Sequence, residues 1–291
     1  MRIAYLILAH KCPRGVAQLA RSIAAVDSDG KVFVHYDRSS PKSEYQELEK
    51  ILMGESGVEL LQRRRACRWG GFSLVEASLD LLEAARRAGE YDYFYLLSGS
   101  CAPLRPLAEL KKFLRGSKSS FIESFRVEWI QGGMRHDRYR FYHFAALLGK
   151  KSLTRPFYGL QKRLGIHREL PEGIDEIRFG SQWWCLHGDM VERMFAFMQQ
   201  RPDVMEFFRR VYIPDESFFQ TLAHHLDPGA VVSKSLTYYR FDERGKAMEF
   251  GLKDVARLQK EAADKFFFRK LRCQTKGDVL EYLPYIAKDR G

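Results

Sequence analysis

Short apolar runs alternate with amphipathic stretches through the first half of the chain, and few folds accept that alternation. Arg2 to Ala9 is an apolar run of strand length, and Gly15 to Val26 follows with helical periodicity. Lys31 to Tyr36 reads as a second strand, Ser43 to Met53 as a second helix, and Val58 to Leu61 as a short third strand. Phe72 to Ala88 is a long helix whose Leu74, Val75, Leu79, Leu81 and Leu82 supply an apolar face. Tyr91 to Leu97 is an aromatic-rich strand ending in Ser98-Gly99-Ser100, Pro106 to Arg115 a helix, and Phe121 to Glu123 a short strand. Strands and helices in this order point to an α/β fold with a central, mostly parallel sheet flanked by helices.

The second half is less regular. From Arg126 to about Phe179 the pattern is irregular, aromatic and basic. Trp183 to His187 then reads as a strand, Asp189 to Gln199 as a helix, and Asp215 to His225 as another helix. Val231 to Tyr239 is a late strand, Leu252 to Ala263 a helix, and Asp278 to Ile286 a last helix. No repeat, low-complexity tract or linker divides the 291 residues, so one continuous domain is expected.

Charge and cysteine usage narrow the partners. Lys and Arg outnumber Asp and Glu by 48 to 37, a surplus of 11 that suits nucleic acid, phospholipid or a phosphorylated small molecule. Arg63-Arg64-Arg65 is too short for a nucleic-acid tail and reads as a solvated loop. The apolar N-terminal run is too short to span a bilayer and lacks a small-residue cleavage site. Five widely spaced cysteines without a CxxC pair suggest reduced thiols rather than a disulfide framework or zinc site. A cytoplasmic protein is expected, with peripheral attachment to the inner face of an anionic membrane as a further expectation.

Several segments could carry chemistry, and each has a plain structural alternative. In Ile213-Pro214-Asp215-Glu216-Ser217-Phe218-Phe219, Pro followed by two acids is a good helix start, with Phe218, Phe219 and Leu222 as the apolar face. That accounts for both acids without a function; the functional alternative makes Glu216 a general base on a fixed helix end. His35-Tyr36-Asp37 lies at the carboxyl end of a strand, where open α/β sheets bind ligands, although Asp37 could equally be a turn acid. Asp27-Ser28-Asp29 is formally Asp-x-Asp, but it precedes a strand and is followed by Gly30, which marks a hydrated turn. Where a metal-binding pair would be expected, Ser98-Gly99-Ser100 offers no carboxylate, so no divalent cation is expected. There is no GxxxxGK[ST] loop, no HExxH and no GxSxG elbow, and the pair His224-His225 has no ligand spacing. Phe266-Phe267-Phe268-Arg269-Lys270 reads either as the end of a helix or as cations held by aromatics to clamp phosphate.

Six blocks then match one family in order. They are Ala4 to His10, Val34 to Arg38, Leu96 to Leu104, Gly180 to Trp184, Pro214 to Phe218, and Phe267 to Leu271. On these blocks the chain resembles the core-2/I-branching β-1,6-N-acetylglucosaminyltransferase and peptide O-xylosyltransferase family. The resemblance implies a GT-A-like fold and inverting transfer from a UDP-sugar, with GlcNAc favoured and xylose next, to a glycan or lipid-linked acceptor without a metal. It implies Glu216 as the base for the acceptor hydroxyl, Asp37 in the uridine pocket, and Lys270 with Arg269 at the departing diphosphate. Lys265, in Ala263-Asp264-Lys265-Phe266, is a second partial match for the clamp lysine; the spacing to Val279-Leu280 favours Lys270. Glu123, Arg138, Ser181 and Trp183 are the residues expected to touch the sugar substrates. Residues 1–125 would form the nucleotide-sugar half and residues 126–291 the acceptor and catalytic half.

The physical logic of that set is consistent. A sugar hydroxyl must lose its proton as it attacks the anomeric carbon, which calls for a carboxylate beside the acceptor. The leaving UDP develops negative charge and needs preorganised cations, a task left to Arg and Lys where no metal is bound. The alternative of another class is a non-catalytic carbohydrate- or nucleic-acid-binding protein on the same fold; nucleic acid is the less expected partner.

Overall fold

The computed structural model describes residues 1–130, 134–144, 147, 151–243 and 245–272. The expected helix over Asp278 to Ile286 lies outside the described residues. In chain order the elements are β1 (Ile3–Ala9), α1 (Pro13–Val26), β2 (Lys31–Tyr36), α2 (Lys42–Leu52), β3 (Val58–Leu60), α3 (Ser73–Ala88) and β4 (Tyr93–Ser98). There follow β5 (Ala102–Pro103), α4 (Leu107–Leu114), β6 (Ser120–Phe121), α5 (Asp137–Arg140), α6 (Lys151–Arg163), β7 (Cys185–His187), α7 (Gly188–Gln200) and α8 (Pro202–Phe208). The remainder are α9 (Phe218–Leu226), β8 (Val231–Val232), β9 (Thr237–Tyr238), α10 (Val255–Glu261) and β10 (Phe267–Phe268).

Seven strands form one sheet in the order β3-β2-β1-β4-β7-β6-β8. The β3, β2, β1 and β4 strands are mutually parallel; β7 runs antiparallel to β4 and β6, and β8 is parallel to β6. The α/β architecture expected from the alternation is therefore present. Side chains along β1 show why its run is apolar throughout. Ala4, Leu6 and Leu8 enter a core shared with α3, α7, α8 and α9, whereas Ile3, Tyr5, Ile7 and Ala9 enter one shared with α1, α2 and α4. A strand with both faces covered has no polar side.

A smaller sheet, β5-β10-β9, sits with α10 over a third cluster containing Ala102, Leu104, Phe250 and Phe268. This corrects the helix-end reading of Phe266-Phe267-Phe268: Phe267 and Phe268 form a strand, parallel to β9 and antiparallel to β5. Strand alternation lets Phe267 serve one core and Phe268 the other. The expected strand from Val231 to Tyr239 is likewise split into β8 and β9, which belong to different sheets.

Two helical segments differ from expectation in ways that matter for the site. Asp215 to His225 is not one helix: Pro214–Glu216 forms a single 3-10 turn, Ser217 breaks it at φ −143°, and α9 begins at Phe218. The irregular middle contains α6, a 13-residue helix that the sequence reading left unassigned. Cys12 is disulfide-bonded, contrary to the expectation of reduced thiols, whereas Cys67, Cys101 and Cys185 are free.

Candidate active site

The carboxyl ends of β1, β2 and β4 open into a cleft of about 520 Å3. This is where open α/β sheets place ligands, because chain reversal there leaves backbone groups and side chains pointing outward. Ala9 and His10 follow β1, His35 and Asp37 follow from β2, and Ser98, Gly99 and Ser100 close β4. Gly99 is needed for steric reasons. A Cβ there would lie 2.8 Å from both Ala9 Cβ and Val16 Cγ2, so only glycine lets β4 end against β1 and α1.

The remaining wall comes from distant parts of the chain: Ser181 to Trp183, Asp215 and Glu216, Tyr239, Glu249, and Arg269 to Arg272. Of the residues singled out from sequence, the cleft gathers Asp37, Ser181, Trp183, Glu216, Arg269 and Lys270. Glu123 and Arg138 stand one layer behind, each holding a lining residue. Lys265 does not line the cleft; its ammonium donates to the Ser235 carbonyl at 2.8 Å and pairs with Asp264 at 3.0 Å.

Glu216 is held by charge. The Arg138 guanidinium donates to Glu216 Oε2 at 2.8 Å, with the Arg138 side chain 13% and the Glu216 side chain 31% exposed. Among the described residues no hydrogen bond engages Oε1. The backbone is equally constrained: Ile213, a β-branched residue, adopts φ 54°, ψ 57° immediately before the Pro214 turn. A non-glycine residue in this region costs on the order of 1–3 kcal/mol and is held only by its surroundings. Here those are the Ile213 N–H bond to the Gly70 carbonyl at 3.0 Å and the Gly180 N–H bond to the Glu216 carbonyl at 3.0 Å.

Asp215 is not merely a turn acid. It is buried, lines the cleft, and its Oδ1 has no hydrogen-bond partner. Burial, reinforced by the neighbouring Glu216 charge, pushes its carboxyl up to about 7. Ser181 is built in from both sides. A Cβ on the preceding Gly180 would come within 2.3 Å of the Glu123 carbonyl oxygen, and this close approach lets the Ser181 N–H donate to Glu123 Oε2 at 2.8 Å. Tyr239 donates to the same carboxylate, at 2.9 and 2.8 Å. Gln220 of α9 donates to the Ser181 carbonyl at 2.8 Å, so the Ser181 segment and α9 are tied together. The Ser181 Oγ is buried and unpartnered.

Positive charge enters from the chain after β10. The Arg269 guanidinium lies 4.4 Å from the centroid of the Trp183 ring, a cation-π contact. Burial lowers its pKa from the ordinary arginine value, yet arginine keeps its charge. No carboxylate among the described residues forms an ion pair with it. Lys270 is more open and pairs with Glu249 at 3.1 Å. Arg269 is half-buried with its Nε buried and unpartnered, and a cation so placed on a cleft wall is costly unless an anion joins it.

Asp37 at the end of β2 accepts from the Ser39 N–H at 2.7 Å and the Cys67 N–H at 3.1 Å, both through Oδ1. The turn role proposed for it is therefore real, and it coexists with a place on the cleft wall. His35 is buried, accepts the Arg65 N–H at 2.8 Å, and is lowered to about 4, chiefly by desolvation. Burial pushes the Cys67 thiol up to about 12, which rules out a thiolate nucleophile there at neutral pH. Among the described residues no group of three His, Cys, Asp or Glu could hold a metal ion.

Sequence reasoning missed His10, Lys11, Trp69, Gln182, Tyr239 and Glu249, all of which line the cleft. His10 and Lys11 had a usable signal, since they directly follow a buried strand. Tyr239 and Glu249 had none, because their positions depend on how the small sheet docks.

The family model of the core-2/I-branching enzyme matches residues 3–260. Among curated relatives, the xylosyltransferase sqv-6 of Caenorhabditis briggsae is 22% identical over 197 residues, covering 66% of this chain and 22% of its own. The xylosyltransferase oxt of Drosophila pseudoobscura pseudoobscura is 25% identical over 238 residues, covering 77% of this chain and 25% of its own. The chain thus spans about a quarter of the length of the curated relatives it matches. Among solved structures, a galactosyltransferase, LgtC, in complex with donor and acceptor sugar analogs has 11% identity and a TM-score of 0.43, over 99% of this chain and 95% of its own. S. aureus TarS in complex with UDP-GlcNAc has 10% identity and a TM-score of 0.38, over 96% and 61%.

Proposed function

The chain belongs to the core-2/I-branching enzyme family, and we propose that it is an inverting, metal-independent glycosyltransferase using a UDP-sugar, GlcNAc favoured and xylose next. The observation that carries this is a pairing within one cleft. A carboxylate steadied by Arg138 and a half-buried guanidinium, its Nε buried and unpartnered and without a carboxylate partner, line the same space.

Glu216 acts as the general base. Arg138 occupies Oε2, which leaves Oε1 for the acceptor hydroxyl. As the acceptor oxygen bonds to the anomeric carbon, its proton passes to Oε1 and the bond from that carbon to the UDP oxygen breaks. The electron pair of that bond leaves with UDP, inverting the anomeric centre. Arg269 and Lys270 stabilise the developing diphosphate charge, a task suited to groups already desolvated and fixed before reaction. Arg269 is the stronger member, because Lys270 already shares its charge with Glu249.

The remaining lining residues take supporting roles. Asp37 and the β1 and β2 ends receive the nucleoside, and the unpartnered Ser181 Oγ receives a sugar hydroxyl. Trp183 holds the Arg269 guanidinium 4.4 Å from the centroid of its ring. Residues 1–125 supply the nucleotide-sugar half and residues 126–291 the acceptor and catalytic half. The acceptor is a glycan or lipid-linked hydroxyl.

A screen for UDP release across UDP-sugars tests the assignment. Release with one donor, raised by an acceptor, is expected. UDP that binds by calorimetry while no donor is turned over would favour a non-catalytic carbohydrate-binding protein instead, and salt-sensitive binding of RNA without UDP binding would favour a nucleic-acid protein.

A further inference from the structure

Exposed apolar side chains in this molecule are not scattered evenly. Leu153, Leu160, Leu164 and Ile166 are 49, 51, 61 and 41% exposed, all within one helix and the turn that ends it. Their spacing is regular. Residues 153, 160 and 164 are separated by seven and four positions, which on an α-helix stacks them into one stripe. The helix is α6, and the face about a quarter-turn round from the stripe is spoken for. Gln161 is buried, accepting the Tyr142 N–H at 2.8 Å and donating to the Tyr142 carbonyl at 3.1 Å. Phe157 packs on Phe144, and Tyr158 on Phe141 while bonding Asp137. The leucine stripe therefore has no role in holding α6 to the body.

The sequence between α5 and the end of the turn after α6 carries charge of one sign. From Arg138 to Arg168 the sequence carries eight Lys or Arg and no Asp or Glu. Lys162 is neutralised by Asp137 at 2.9 Å, but Arg155 and Arg163 are exposed and form no ion pair among the described residues. On the helical circle Arg163 lies about 80° from the leucine stripe on its solvent side, whereas Arg155 lies about 160° from it. No helix among the described residues is long and apolar enough to cross a membrane, so contact would be lateral.

We propose that the exposed face of α6 and its C-terminal turn is the surface by which the protein lies on an anionic lipid bilayer. Leu153, Leu160, Leu164 and Ile166 enter the boundary between headgroups and acyl chains, and Arg163 meets lipid phosphate. A protein partner would need an acidic rim around an apolar groove; a bilayer with anionic headgroups presents both features at any orientation. The position has a mechanistic consequence. α6 packs on α5 through Asp137, and the next residue, Arg138, pairs with Glu216. Docking there sets the Glu216 side of the cleft near the membrane, where a lipid-linked acceptor would be. The surface itself is inferred independently of the transfer reaction.

Vesicle sedimentation of the full chain tests the proposal. Wild-type protein is expected to sediment with phosphatidylcholine vesicles containing phosphatidylglycerol and to stay in solution with phosphatidylcholine alone. The double variant Leu160→Glu, Leu164→Glu should weaken that binding about tenfold or more. Arg163→Gln should weaken it about fivefold, an effect that high salt mimics. An unchanged melting temperature and unchanged UDP affinity in these variants would show that the fold and cleft are intact. Equal binding to neutral vesicles, no binding to either, or undiminished binding by the leucine variant would overturn the proposal. So would a wild-type dimer that the leucine variant converts to monomer without any lipid binding.

Discussion

Glu216 and Asp215 are adjacent in sequence and opposite in circumstance. Glu216 faces the cleft with Arg138 on one oxygen, whereas Asp215 is buried with Oδ1 unpartnered. Arg138→Ala should therefore lower turnover by roughly a hundredfold or more while UDP affinity holds, because it removes the group that aims the proposed base. Equal losses in turnover and UDP affinity would show a wider structural role. For Asp215 the sign of the pH effect can be worked out. Its folded carboxyl is raised from 3.8 to about 7, so between those values the folded state holds a proton that the unfolded state has released. Its contribution to stability is complete below about pH 4 and is lost as pH rises to 7, by an amount on the order of a few kcal/mol. Asp215→Asn should thus gain in melting temperature relative to wild type on going from pH 5 to pH 8; parallel curves would refute the assignment. His35, lowered to about 4, acts in the other direction below pH 6.5 and cancels in that difference. Much of this site was legible from residues. The acids, the Arg-Lys pair and the Ser181 block each occupy short segments, so a motif could mark them. The unequal environments of the two acids could not be read, because Arg138 lies 78 residues away in sequence.

At the scale of elements, the sequence pattern served well where a segment is either amphipathic or covered on both faces. The first three helices and the β1, β2 and β4 strands lie within a few residues of their expected bounds, since each has a simple burial pattern. It failed where tertiary structure sets the pattern. The strand at Phe267–Phe268 divides its side chains between two cores, so three aromatics in a row carry no period. In α6, Pro156 and Gly159 obscure a helix whose apolar stripe faces solvent and whose inner face relies on Gln161, Tyr158 and Phe157. The single turn at Pro214–Glu216 resembles a helix start because Pro and acids suit both. Junctions between elements are also where substitutions should tell most. Gly99→Ala would force a Cβ to within 2.8 Å of Ala9 and Val16, where β4, β1 and α1 converge. A destabilisation of about 1–3 kcal/mol in chemical denaturation is expected. A neutral result would mean that these elements can separate at little cost, which would weaken the case for a rigid cleft floor.

For the whole molecule, net charge and cleft chemistry act at different ranges. The formal charge of +11 creates a field that gathers anions, while Arg269 supplies a fixed local cation. Transfer should survive EDTA undiminished, since the proposed leaving-group charge is met by Arg269 and Lys270; strong inhibition that added divalent ion reverses would contradict a metal-free reaction. The composition pointed to an anionic partner but could not separate the proposed nucleotide-sugar in the cleft from the proposed lipid contact at α6, because both draw on one surplus of positive charge. The structure distinguishes two surfaces on which they can be tested apart. Transfer and UDP binding measured side by side for Glu216→Gln test the central claim most directly. Glutamine keeps the shape and can still accept from Arg138, but it cannot take the acceptor proton. Transfer reduced roughly a hundredfold or more, with UDP affinity near that of wild type, is the expected result. Transfer that persists near the wild-type rate would contradict it.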